Sequence, residues 1–221
     1  MPTKCIDLSH SVSTGMPTPP GIPQPSIGPL WSRQQLLEWT GVAWEMPELE
    51  LFGTLGTHLV APFQFDEAGD DIAGSDLERM FRRPAVVVDV PSAGELGIEV
   101  FADFPSLSGS AVLLRCGADT LWGSPSFYAS GVGLSRDLTG YLIAEGVAIV
   151  GTDSADIGEP AGGVGADTWS SARELARAGV LLVHSMTRLD QLPATGATLS
   201  VLPAAVQGTG AIPVRPFAVI D

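Results

Sequence analysis

The stretch Thr54-Leu55-Gly56-Thr57-His58-Leu59-Val60-Ala61-Pro62-Phe63-Gln64-Phe65 holds the side chains of this sequence best placed to do chemistry. In an extended chain side chains alternate faces, so positions 54, 56, 58, 60 and 64 look toward one side. That side carries a hydroxyl at Thr54, an imidazole at His58 and an amide at Gln64. An unperturbed imidazole titrates near ~6.5 and can move a proton at neutral pH. The hydroxyl and the amide offer hydrogen bonds to a substrate. The other two histidines of the chain are His10 and His184. Trp31, Trp44, Trp122 and Trp169 are candidates to line an apolar cavity, with core packing as the competing role for each.

These residues must be positioned by strands, helices and shaped loops. Cys5–Leu8 reads as a short strand running into the Pro-rich segment 16–23, which must be extended or turning. Residues 31–39 fit either a strand or a short helix, and Glu48–Phe52 alternates as a strand does. Residues 75–80 suggest a short helix capped by Ser75, with Glu78 closing a capping box. Ala85–Val90 and Ala111–Arg115 are compact apolar runs of the kind found in fully buried strands. Residues 135–145 and 168–178 have helical periodicity and are followed by Gly146 and Gly179, then by apolar strands at 147–150 and 180–184. The last strands are expected at Val201–Leu202 and Val214–Val219. Helix–strand pairs with extra antiparallel strands at both ends predict an α/β class, in one domain spanning 1–221.

The central segment resembles the HxGTHxDxPxH motif of the cyclase family, which includes bacterial kynurenine formamidases and isatin hydrolase. The resemblance extends through Ile6-Asp7-Leu8-Ser9-His10, Gly15-Met16-Pro17 and Pro20-Gly21 at the start. It continues through Gly131-Val132-Gly133-Leu134-Ser135 and Val150-Gly151-Thr152-Asp153 in the middle, and Leu202-Pro203-Ala204 and 210–218 at the end. It implies a swivelling β/β/α domain, usually oligomeric, with a buried pocket near the motif and His10 close to it. The departures fall on the ligands that the resemblance implies. Thr54, Val60 and Gln64 replace His, Asp and His, and Ala172 and His184 stand where a helix His and a strand Glu are expected; His58 alone is retained. Val60 and Ala172 cannot ligate a metal, so the expected site has none. The alternative is weakly bound zinc or manganese on His58, His184 and Gln64.

On this reading His58 and His184 are the catalytic candidates, and Thr54, Gln64, His10 and Trp44 the substrate-binding ones. The competing roles are structural. His58 would be satisfied by a backbone carbonyl, His184 would cap its strand, and His10 would be a loop residue. Asp153 is expected to fix its own loop by accepting N–H groups of 151–154, with a pocket carboxylate as its second role. Asp66, Glu67, Asp70 and Asp71 read as a solvated loop.

Composition narrows the partners. A net charge of -14 opposes binding to nucleic acid and to anionic membranes, leaving a small-molecule substrate. No signal peptide or long apolar run is visible, so a cytoplasmic protein is expected. Cys5 and Cys116 form no disulfide framework and are expected to be small buried thiols. Three functions fit: a metal-independent cyclase or dehydratase on an intermediate of specialised metabolism, a metal-dependent amidohydrolase with an altered ligand set, and an inactive binding protein. A homodimer or homotetramer is expected from the resemblance.

Overall fold

The computed structural model describes residues 3–19, 21–92, 94–104, 106–158 and 170–220. Along the chain the strands are β1 (Lys4–Asp7), β2 (Ser26–Trp31), β3 (Met46–Glu50), β4 (His58–Val60), β5 (Arg83–Asp89), β6 (Glu95–Leu96) and β7 (Ala111–Arg115). They continue with β8 (Val132–Leu134), β9 (Ile149–Thr152), β10 (Ile157–Gly158), β11 (Leu181–His184), β12 (Ala197–Ser200), β13 (Ala211–Pro213) and β14 (Phe217–Ile220). The α-helices are α1 (Arg33–Thr40), α2 (Arg136–Ala144) and α3 (Ser170–Arg177).

Nine strands form one mixed sheet in the order β1-β14-β12-β5-β7-β9-β11-β4-β13. The middle four, β5, β7, β9 and β11, are parallel. Antiparallel strands extend the sheet on both sides, β12, β14 and β1 on one and β4 and β13 on the other. This is an α/β domain built on a curled mixed sheet with few helices. The parallel strands are apolar at successive positions because both faces are covered. Val86, Val112, Val150 and Leu182 share one core with Leu138 and Leu142 of α2 and Ala172 and Leu175 of α3. Ala85, Val87, Leu113 and Val183 belong to a second core on the opposite face, with Ile6, Leu199 and Ala218 from the curled antiparallel end. No helix among the described residues is long and apolar enough to cross a membrane.

Helix α1 resolves the ambiguity at 31–39: Trp31 ends β2, Ser32 and Gln35 make a capping box, and Gly41 closes the helix in the left-handed region. Together β2, α1 and β3 form an arm whose two-stranded sheet is separate from the main one. Several expectations are corrected. Residues 77–79 make a 3₁₀ turn capped by Asp76, whose carboxylate accepts the Glu78 N–H; Ser75 instead bonds the Asp71 carbonyl. The strand expected at Val201–Leu202 lies earlier, at Ala197–Ser200, where pairing to β14 and β5 fixes it. Cys5 is exposed and Cys116 half-buried. Trp169 lies outside the described residues.

Candidate active site

The seam between β4 and β11 brings two of the three histidines together. β4 runs antiparallel to β11 with His58 opposite His184 and Val60 opposite Leu182. Directly opposed side chains have Cβ atoms about 4.5–5.5 Å apart, and the two rings stack with centroids 5.0 Å apart and 4° between their planes. Both are buried, at 7% and 5% exposure.

The His58 Nδ1 lies 2.9 Å from the Gly56 carbonyl oxygen. A carbonyl only accepts, so Nδ1 carries the proton and Nε2 presents its lone pair. The backbone carbonyl of the competing structural role is therefore present, and it also sets the tautomer. Gly56 can sit there because its φ is 62°, and a Cβ added to it would crowd Val12 at 3.2 Å. Burial lowers the His58 pKa to about 3; His184 adds to the effect, while the Gly56 carbonyl and Asp156 oppose it. Burial also lowers His184 to about 4, against an opposing contribution from the Ala155 backbone. Both rings are neutral at pH 7.

Thr57, which the alternation assigns to the opposite side of the strand from His58, ties the site together. Its hydroxyl accepts the His10 backbone N–H at 2.9 Å and donates to the Ser185 carbonyl. Ser185 follows His184 directly and has a φ of 55°, a conformation that persists only where neighbours hold it. Here its N–H donates to the Ser154 carbonyl while its own carbonyl accepts from Thr57. The His10 ring stacks on Trp122 with centroids 4.0 Å apart and meets Phe127 edge-on. Burial lowers its pKa to about 4.

The other expected site residues take different settings. Thr54 and Gln64 are exposed. The extended run assumed over 54–64 exists only at His58–Val60, because Gly56 turns the chain before it and Pro62–Gln64 form a 3₁₀ turn after it. Trp44 is 42% exposed on the arm, between α1 and β3. Asp153 does not fix its own loop: it accepts N–H groups from Cys116 and Gly117 across the sheet, and the Cys116 thiol. Burial foremost, with the Asp153 charge, pushes that thiol up to about 12. A cleft of about 450 Å³ at this end of β5, β7 and β9 is lined by Asp89, Arg115, Cys116, Asp119, Asp153 and Asp190, and not by His58 or His184. In the acidic loop Asp71 accepts N–H groups from Gly74 and Gly208.

Among the described residues, the side chains around the seam do not fit a catalytic divalent cation. Val60 and Ala172 stand in the helix-side apolar core, and Thr54 and Gln64 face solvent. Parallel stacked rings hold their lone pairs in parallel planes, so an ion in the plane of one lies outside the plane of the other. Among the described residues no group of three or more His, Cys, Asp or Glu side chains is arranged to hold a metal.

Two residues of this site escaped the sequence reading. Thr57 was hidden by the alternation rule, which follows side chains and not the loop carbonyls that they reach. Asp156, 3.7 Å from His184 through Oδ1 and Nδ1, sits in a polar loop with no motif to mark it.

The family model described as putative cyclase matches residues 6–159. A kynurenine formamidase of Bacillus anthracis is 25% identical over 219 residues, covering 96% of each chain. Isatin hydrolase A from Labrenzia aggregata, in a structure with benzyl benzoate, superposes with a TM-score of 0.83 at 21% identity, covering 99% of this chain and 94% of that one. A structure described as a potential metal-dependent hydrolase with cyclase activity gives 0.77 at 19% identity, covering 99% and 98%.

Proposed function

This chain belongs to the cyclase family of enzymes, and from that premise we propose that it is a metal-independent member acting on a small-molecule intermediate by acid–base chemistry at His58 and His184. The observation that carries the reading is the stacked pair of neutral imidazoles on the face where Val60 and Ala172 leave no ligands. A site without a metal has no ready source of hydroxide, which disfavours hydrolysis of an unactivated amide. Ring closure or loss of water asks less: one ring accepts a proton from the substrate and returns it to the departing hydroxyl or to the newly formed ring. Two rings in contact take up at most one extra proton between them during the reaction, because the first to be charged disfavours charging the second. General acid–base catalysis of this kind contributes ~10²–10⁴-fold. We read the location as cytoplasmic.

The test compares small-molecule extracts incubated with the wild-type protein and with the His58→Ala/His184→Ala double variant. A compound depleted by the wild type alone, with a product isomeric or lighter by one water, is expected. Equal depletion by both proteins overturns the reading. So does stoichiometric zinc or manganese surviving dialysis, or metal-stimulated hydrolysis of N-formylkynurenine at about 1 per second or faster.

We also propose that the arm is covered by a second copy of this chain. Leu30, Leu37, Trp39, Val42, Trp44 and Leu49 are 42–61% exposed on it, and Leu36 is the buried residue of α1. Side chains of this size leave on the order of 500 Å² of apolar surface on the arm, a large part of the ~800 Å² each partner buries in a stable dimer. A single two-stranded hairpin is marginal without such cover.

A further inference from the structure

We infer that Asp156 is the positioning residue of His184, holding its Nδ1 in the protonated tautomer so that Nε2 is the basic nitrogen. The inference rests on the acid–base reading above and deepens it. His184 is 95% buried, from its 5% exposure, and its Nδ1 has no hydrogen-bond partner among the described residues. The nearest carboxylate oxygen, Asp156 Oδ1, lies 3.7 Å away. Asp156 is half-exposed but His184 is buried, and two acceptors would not face each other across that gap, since a lone pair on Nδ1 would be repelled by the carboxylate. An N–H there is attracted instead. The separation exceeds a formed hydrogen bond, as catalytic bonds in unliganded sites often do before they tighten around substrate.

Both partners are fixed by the fold. Thr152, Ser154 and Asp156 are linked in series: Ser154 Oγ lies 2.9 Å from Thr152 Oγ1 and donates to the Asp156 carbonyl at 2.8 Å. The Val132 N–H donates to that same carbonyl, and the Ile157 N–H to Asp156 Oδ1. From the other side, the N–H groups of Ser185 and Met186 donate to the carbonyls of Ser154 and Thr152. The loop bearing the carboxylate and the strand end bearing the imidazole are thus stitched to each other. His58 already has its Nδ1 proton placed by the Gly56 carbonyl, so Asp156 gives the second ring the same tautomer. Both Nε2 atoms then carry lone pairs, and an imidazolium formed on His184 during proton transfer has a counter-charge beside it. A His held by a carboxylate through one nitrogen and reacting through the other is a general arrangement for directing proton transfer.

The experiment is nitrogen-15 NMR of the full-length protein labelled at histidine, at neutral pH, with the three rings assigned through His10→Gln and His58→Gln. In the wild type, His184 is expected to show a protonated Nδ1 and a lone-pair Nε2. Asp156→Ala should move roughly half or more of the His184 signal toward the opposite tautomer while leaving His58 unchanged, and Asp156→Glu should restore the wild-type pattern. A wild-type His184 protonated on Nε2 overturns the assignment, and this readout needs no variant to fold. An Asp156→Ala spectrum identical to wild type also overturns it, because the backbone at Ala155 would then be holding the ring. A His184 signal that changes on adding a chelator would instead overturn the metal-free reading beneath it, which separates the two failures.

Discussion

The β4–β11 seam and the β2–α1–β3 arm distribute polarity in opposite ways. The seam buries two imidazoles, a threonine hydroxyl and a left-handed serine between apolar cores; His58 bonds the nearby Gly56 carbonyl, while Thr57 joins Ser185 across the chain. The arm exposes leucines and tryptophans on a hairpin and helix made from local signals, the Ser32 capping box and the Gly41 cap. Buried polar groups are costly unless satisfied, so the seam is where the fold supports chemistry. Exposed apolar clusters mark surfaces for association, so the arm is where it supports assembly. The first region should govern turnover and stability, and the second oligomeric state alone.

The largest effect expected is on the seam's chemistry. His58→Ala should lower turnover of the compound identified by depletion by ~10²-fold or more. His58→Gln keeps a hydrogen bond but cannot titrate, so high activity in that variant would assign His58 an orienting role. A folded His58→Ala protein with wild-type turnover would remove His58 from the mechanism and leave His184 as the base.

Next comes the hydroxyl that joins the three segments. Thr57→Val keeps the shape but strips the partner from the His10 N–H and the Ser185 carbonyl, and should cost about 2 kcal/mol or more in urea denaturation. A loss below about 0.5 kcal/mol would mean that the seam is not fixed by this hydroxyl.

The histidines also predict a pH dependence. His58 falls to about 3, and His10 and His184 to about 4, chiefly through burial. Folded values below the unfolded one mean that the unfolded chain binds more protons, so stability is full above ~6.5 and declines as pH falls toward about 4, by at most about 1.4 kcal/mol per pH unit for each ring. Thermal melts at pH 7, 6 and 5 check this. A midpoint unchanged between 7 and 5 would contradict burial of the neutral rings.

The smallest change in stability is expected on the arm. Leu37→Glu with Trp39→Glu should convert a dimer or higher assembly to monomer in sedimentation analysis, with urea stability of the monomer core shifted by about 0.5 kcal/mol or less per site. A wild-type monomer at micromolar concentration would end the proposal that a second copy covers the arm.

The sequence by itself determined the α/β class and most of the central strands, because parallel strands covered on both faces are continuous apolar runs that stand out in any reading. It also determined the helix stops at Gly146 and Gly179 and, through the family resemblance, the loss of ligand types at Val60 and Ala172 and the isolation of His58 within its motif. Those are properties of residue type and short spacing. Only the tertiary structure decided that Thr54 and Gln64 face solvent, since a left-handed Gly56 and a 3₁₀ turn at Pro62 broke an extended run that looked continuous. It alone set His184 against His58, through a register between strands more than a hundred residues apart, and placed Thr57 and Asp156 around them. Alternation says which side of a strand a residue takes, but not which distant strand will lie opposite; that follows from how the whole sheet buries its two apolar faces.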